Sequence, residues 1–259
     1  QTTRLASGDV VRIPPIRTSE SEAPPVVSSG LTERLSRACV YEDDQLFVFN
    51  KPAGLAVHGG SGVSLGLIEA LRVIYPQEKE MELVHRLDRD TSGLIMVARK
   101  RAFLRKLQRL MQAGQVEKRY WLLCQGFKGK ERTLEAPLLK MQNGNERIVR
   151  VSREGKASVT HFRMLERLAD AQLVEATLET GRTHQIRVHS QFGGFPLLGD
   201  DKYGTDKGAA LLASIGHKRL CLHARTLVFP HPNTGKTVSL TAPLDEDFEA
   251  ILTALRGAR

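Results

Sequence analysis

Six short apolar runs constrain the fold more than any other feature of this 259-residue chain. They are QLFVFN (45–50), LIMVA (94–98), YWLLCQG (120–126), ASVTHFRML (157–165), LVEATLE (173–179) and CLHARTLVF (221–229). Rich in β-branched and aromatic residues and too short for helices, they are expected to be strands. Helical spacing is scarcer. Leu67, Ile68, Leu71 and Ile74 share one face of a helix, and Phe103, Leu104, Leu107, Leu110 and Met111 share another. A third helix is expected to open with Thr183 as N-cap, and a fourth to cover 245–255. Strands outnumber helices without a regular βαβ alternation. The expected class is therefore α+β, with a mixed, mainly antiparallel sheet and flanking helices and loops.

Charge is concentrated in one block. From Arg99 to Lys156 there are 16 lysines and arginines against five acids, a local net of +11, whereas the whole chain carries +9. The rest of the protein is thus slightly acidic. The second helical face carries the densest part of the block, with Arg99, Lys100, Arg101, Arg105, Lys106 and Arg109 on its polar surface. A near-neutral body with one basic block points to a polyanionic partner, since lysine and arginine displace counterions from a phosphate chain. A solvated, solubilising face is the plainer alternative. Aromatic residues make up only 5% of the chain, too few for an array of base-stacking platforms, so shape and charge would dominate nucleic-acid binding.

Four of the eleven prolines fall within PPIRTSESEAPPVVSSG (14–30), a linker composition. Ahead of it, Gly8-Asp9 turns into an alternating Val10-Val11-Arg12-Ile13 strand pattern too short to fold alone. Residues 1–15 are expected to be the end of another domain, 16–31 a flexible linker, and 32–259 the main domain. No apolar run approaches the ~20 residues that span a bilayer, and no signal-peptide plan opens the chain. Cys39, Cys124 and Cys221 are odd in number and widely spaced, which suits reduced thiols in the cytoplasm.

Two polar clusters are set against apolar segments. HRLDRDTSG (85–93) lies between MELV and LIMVA, where a polar loop is a usual place for a site. It could equally be a turn, with Asp90, Thr91 and Ser92 bonding their own backbone and Gly93 at positive φ. TGRTHQIRVH (180–189) follows an expected strand and opens an expected helix, from which Arg187 can reach another segment. Its histidines lie five apart with no acidic or cysteine ligand beside them, so no metal is expected. Gly235-Lys236-Thr237 lacks the first glycine of a phosphate loop, and the glycines at 59, 60 and 62 lack dinucleotide spacing. No nucleotide cofactor is implied.

Four of these segments resemble the motifs of the RluA-type RNA pseudouridine synthases. HRLDRDTSG resembles the family signature, NKPAGLAVHGG (50–60) its upstream motif, EKRYWLLCQG (117–126) its tyrosine motif and TGRTHQIRVH its arginine motif, all in the family's order. RLCLHARTLVFPHPNTGK (219–236) resembles the closing strand pair, and GDVVRIPP (8–15) the end of the S4-type RNA-binding domain that many members carry. The resemblance implies the pseudouridine synthase fold, no cofactor, and a monomer acting on uridines of large-subunit ribosomal RNA. It implies Asp88 as the ionised carboxylate at ribose C1′ and C2′, Arg187 as the guanidinium beside it, and Tyr120 as the ring against the uracil. Arg86 would fill the gap left by a flipped nucleotide. His85, Arg99, Arg105, Lys106, Arg109, Lys118 and Arg119 would contact the RNA. Two other readings share these features: an RNA-binding protein that keeps the fold without chemistry, and an N-glycosidase that shares only the bond-breaking step.

Overall fold

The computed structural model describes residues 6–10, 26–59, 65–143 and 146–257. In chain order its elements are α1 (Ser29–Arg37), β1 (Cys39–Glu42), β2 (Leu46–Lys51), α2 (Leu67–Ile74), β3 (Glu82–Leu83), β4 (Ser92–Ala98) and α3 (Arg101–Gln112). Then come β5 (Glu117–Cys124), β6 (Glu131–Glu135), β7 (Leu138–Asn143), β8 (Glu146–Val151), β9 (Val159–Arg167), β10 (Gln172–Leu178), α4 (Gln185–Phe192), α5 (Asp206–Ser214), β11 (Leu222–Pro230), β12 (Thr237–Thr241) and α6 (Glu246–Gly257). The remainder of the Val10–Ile13 strand expectation and most of the linker lie outside the described residues. The boundary expected between 31 and 32 falls inside α1, because Ser28 caps that helix by accepting from the Leu31 N–H and Leu35 is fully buried.

One ten-stranded sheet organises the molecule. Its main path runs β1-β2-β4-β11-β5-β10-β9-β6, with β3 added to β4 and β12 to β11. All of its pairings are antiparallel except that of β11 with β4, so the α+β class with a mixed, mainly antiparallel sheet holds. That parallel junction joins an N-terminal half to a C-terminal half, pairing His223 with Ser92 and Ala224 with Gly93. Gly93 has φ +108°, and a Cβ there would sit 2.3 Å from the Ala224 carbonyl oxygen. Glycine alone permits the close approach. The HRLDRDTSG loop therefore ends where the two halves meet.

Strand alternation divides the core. On one face, Phe47, Phe49, Ile95, Val97, Tyr120 and Leu122 pack with Leu35 of α1, Leu67 and Leu71 of α2 and Ile186 of α4. On the other, Leu46, Val48, Leu94 and Met96 meet Phe103 and Leu107 of α3, while Leu123 and Leu173 meet Leu212 of α5 and Phe248, Ile251 and Leu252 of α6. The hairpin β7–β8 forms a sheet of its own. It packs through Leu138 and Val149 on Val188 of α4 and on Tyr203. The glycine-lysine-threonine at 235–237 lies in the β11–β12 turn, where Gly235 has φ +69°. Cys39, Cys124 and Cys221 are free thiols.

Candidate active site

Beside the β4–β11 junction lies a cleft of about 1060 Å³. Its walls come from 56–59, the loop 85–90, Lys118 and Tyr120 of β5, the β7–β8 hairpin, and 181–187. Asp88 stands in this cleft with its side chain 26% exposed. The turn in which it sits is closed by the Thr91 N–H donating to the Asp88 carbonyl at 3.2 Å. Lys51, fully buried at the end of β2, anchors that loop from below. Its ammonium donates to the carbonyls of Pro52 (2.9 Å), Leu55 (2.8 Å) and Arg89 (2.9 Å), which uses all three of its protons.

Arg187 reaches Asp88 from 99 residues away. Its Nη1 lies 3.3 Å from Asp88 Oδ2, while Nε and Nη2 donate side by side to Asp200 at 2.7 Å each, and Nη2 also donates to Asp201 at 3.1 Å. Arg187 also lies over the Tyr203 ring, 5.1 Å from its centre. The guanidinium is therefore held at several points, and its orientation is set before any ligand arrives. Burial opposes the charges of both partners, but the ion pair prevails. It raises the Arg187 pKa and holds the Asp200 carboxyl below the usual carboxylate range, helped by the Tyr203 and Lys202 N–H groups. The loop bearing Asp200 is tight. Gly199, at φ +69°, lies where a Cβ would collide with the Arg219 carbonyl oxygen.

Tyr120 lies on β5 beside Asp88. It is 7% exposed, and burial, reinforced by the Asp88 charge, raises its pKa and keeps the phenol neutral. Its hydroxyl has no protein partner among the described residues. Tyr120 is also the one phenyl-type ring among the described residues of the cleft wall, a flat apolar surface next to a carboxylate. Arg86 is exposed at the rim and makes no ion pair among the described residues, with Lys140, Arg182 and Lys202 along the same cleft.

The structure brings Asp88, Arg187, Tyr120, Arg86, His85 and Lys118 to one cleft and places the remaining expected residues elsewhere. Arg99 is engaged within the fold. It pairs with Glu78 and Glu42, donates to the Asp43 carbonyl and stacks on Phe47, which makes it a structural tie between β4 and the preceding loops. Arg119 points from the opposite face of β5 to Lys118 and Tyr120, and it is paired with Glu117. His85 reaches the cleft as a neutral ring. Its Nε2 accepts from the Met96 N–H at 3.1 Å, and burial lowers its pKa to about 4. Arg105, Lys106 and Arg109 are exposed on α3, Lys106 donating to Asn233, and Met111 of the same helix lines the cleft. Thr183 caps no helix, since His184 holds the N-cap position of α4 in the left-handed conformation. Asp200, Asp201, Tyr203 and Lys51 were not legible as site residues. The adjacent acids of LLGDDKYG beside a helical arginine were the available signal.

Residues 45–192, which contain the Asp88 loop, Tyr120 and Arg187, match the family described as RNA pseudouridylate synthase. The chain belongs to this family. It is 48% identical to the ribosomal large subunit pseudouridine synthase C of Escherichia coli (strain K12), covering 99% of this chain and 82% of that protein. The protein of the same name from Pasteurella multocida (strain Pm70) is 47% identical, covering 98% of this chain and 78% of that protein. Among solved structures, human RNA pseudouridylate synthase domain containing 4 superposes with a TM-score of 0.73 at 28% identity, covering 88% of this chain and 96% of that one. Human RNA pseudouridylate synthase domain containing 1 superposes at 0.67 and 26% identity, covering 89% and 98%. Among the described residues no helix is long and apolar enough to cross a membrane, and no cluster of three or more histidine, cysteine or acidic side chains could hold a metal.

Proposed function

We propose that this pseudouridine synthase isomerises uridines of large-subunit ribosomal RNA, with Asp88 as the reacting carboxylate. The reaction breaks the bond from ribose C1′ to uracil N1, turns the base, and joins C1′ to C5. N1 gains the hydrogen that C5 gives up, so mass and oxidation state are unchanged. The observation that carries the assignment is the position of Asp88, with one oxygen on a pre-fixed guanidinium and the carboxylate open to a cleft that also holds a flat ring. Held by Arg187 at one oxygen, the carboxylate is oriented to act as nucleophile or base at C1′ and C2′. Tyr120 offers its ring to the uracil, and its neutral, unpartnered hydroxyl is the group we assign to the removal of the C5 proton.

A base paired or stacked in RNA cannot reach Asp88, so the nucleotide must turn out of its helix at a cost of a few kcal/mol. Arg86, two residues before Asp88 and without an ion-pair partner among the described residues, is the side chain we assign to the vacated stack. Exposed Arg105, Lys106 and Arg109 extend the positive surface for phosphates. One chain supplies every group of the cleft, so a monomer suffices. Ribosomal RNA locates the protein in the cytoplasm, where its three thiols stay reduced. Under the same reading the catalytic body starts with α1, and residues 1–15 belong to an S4-like module joined by the linker that follows.

The test uses ribosomal RNA transcripts labelled with tritium at uridine C5. Wild-type protein is expected to release tritium and leave RNA mass unchanged, and Asp88→Asn to release none while binding RNA within ~3-fold of wild type. Free uracil in the products would replace this reading with an N-glycosidase, and full turnover by Asp88→Asn would remove Asp88 from its role.

A further inference from the structure

Resting on that function, we propose that His184 and Tyr203 are positioning residues for Asp88. Tyr203 fixes the His184 imidazole with its proton on Nε2, and that N–H steadies the carboxylate oxygen that Arg187 does not hold.

The geometry starts with the backbone. His184 has φ +53° and is the one non-glycine residue at positive φ among the described residues. Such a conformation costs on the order of 1–3 kcal/mol and persists only where its surroundings enforce it. Here it directs the ring across the start of α4 toward the 85–90 loop. Nε2 then lies 3.8 Å from Asp88 Oδ1, while Arg187 engages Oδ2. The two partners address different oxygens of one carboxylate.

The other edge of the ring decides the tautomer. His184 Nδ1 lies 2.8 Å from the Tyr203 hydroxyl, and that hydroxyl accepts the Val149 N–H at 3.0 Å. Tyr203 is 3% exposed, and among the described residues its hydroxyl proton has no acceptor but Nδ1. If Nδ1 carried the imidazole proton, the phenol proton would be buried without a partner, at a cost of ~1–3 kcal/mol. Tyr203 therefore donates to Nδ1, and the imidazole proton resides on Nε2, facing Asp88.

Burial keeps the ring a neutral donor. Burial, Arg187 and Lys202 lower the His184 pKa, and they outweigh Asp88 and Asp200, which raise it. A neutral N–H can orient Asp88 without cancelling the negative charge that the chemistry requires. At 3.8 Å the approach is longer than a hydrogen bond. A shift of under ~1 Å closes it, as happens when catalytic hydrogen bonds tighten around substrate. Val149 belongs to β8, so the same hydroxyl ties Asp88 to the hairpin that walls the cleft.

The experiment combines a spectroscopic and a kinetic readout on the full chain. Imidazole nitrogen NMR on wild-type protein at neutral pH is expected to show His184 with its proton on Nε2, and Tyr203→Phe to lose that preference while keeping the ring stacked on Arg187. In single turnover at saturating RNA, Tyr203→Phe is expected to be slowed at least ~10-fold with RNA affinity within ~3-fold, the pattern of a misplaced reacting group. If Tyr203→Phe does not fold, His184→Asn carries the kinetic test, because asparagine tolerates the left-handed backbone. It too is expected to lose rate and not affinity. A proton on Nδ1 in the wild type, or wild-type turnover in the folded variant, overturns the proposal. Failure of the wild type to release tritium would instead overturn the function and leave the tautomer result standing.

Discussion

At the scale of single residues, the site is organised around Arg187 more than around the carboxylate it serves. A guanidinium can satisfy Asp200 through Nε and Nη2 and still present Nη1 to Asp88, because its donors are fixed in one plane. An ammonium is a point charge and cannot span both. Arg187→Lys is therefore expected to lower the single-turnover rate at saturating RNA by ~100-fold with little change in RNA affinity, checked by quench-flow tritium release and filter binding. Asp200→Asn leaves the arginine charge buried with its strongest partner gone. We expect it to destabilise the fold by roughly 3–5 kcal/mol, read as a lower urea midpoint with unchanged slope.

At the scale of elements, α3 illustrates how binding and chemistry are separated. Phe103 and Leu107 fasten it to the sheet, so Arg105, Lys106 and Arg109 are free to face solvent near the cleft rim. Replacing these three together by glutamine should weaken RNA binding and flatten its salt dependence by roughly 0.7–0.9 of a log unit per log unit of salt for each phosphate left without its cation. The turnover rate at saturating RNA should be unchanged, which titrations at several salt concentrations and single-turnover kinetics would check. The α3 face and the six apolar strands were legible because buried faces impose a period on sequence. The hairpin β7–β8 was not, since it pairs with itself and buries little, nor was the two-residue β3, and the largely exposed β12 was implied only by the resemblance to the family's closing strand pair. Thr183 had the right chemistry for a cap, but His184 occupies that position, in the left-handed conformation and without a side-chain cap bond. Arg99 read as a phosphate ligand because its partners Glu42 and Glu78 are distant in sequence, and ion pairs across a fold leave no local pattern. Asp88 was distinguishable from Asp90 only through the family motif. In the fold, Asp88 meets Arg187, whereas Asp90 pairs with its exposed neighbour Arg89.

At the scale of the whole molecule, each half of the sheet carries a histidine whose pKa burial lowers, half-buried His85 and fully buried His223, and these are expected to set the acid limit of the protein. His85 packs against β4 with its pKa lowered to about 4 by burial and by Lys118. His223, at the β4–β11 junction beside Ser92, is also lowered to about 4, chiefly by burial. In the unfolded chain both would titrate near ~6.5. A folded pKa below the unfolded one means that the unfolded state takes up protons first as pH falls. The stability these rings contribute is complete above ~6.5 and declines as pH falls toward 4. Asp200 and Asp245, whose pKa values are lowered by Arg187 and Arg219 against the opposing effect of burial, act in a lower window. Their contribution is complete above ~4 and is lost only below it. Stability should therefore fall in two stages. Urea midpoints measured at pH 7.5, 5.0 and 3.5 are expected to drop first by an amount equivalent to a few kcal/mol and then further. Replacing His223 with glutamine, a residue that does not titrate, should reduce the first drop and leave the second unchanged. A midpoint that stays flat from pH 7.5 to 5.0 would mean that the junction between the halves is open enough for its histidine to ionise in place.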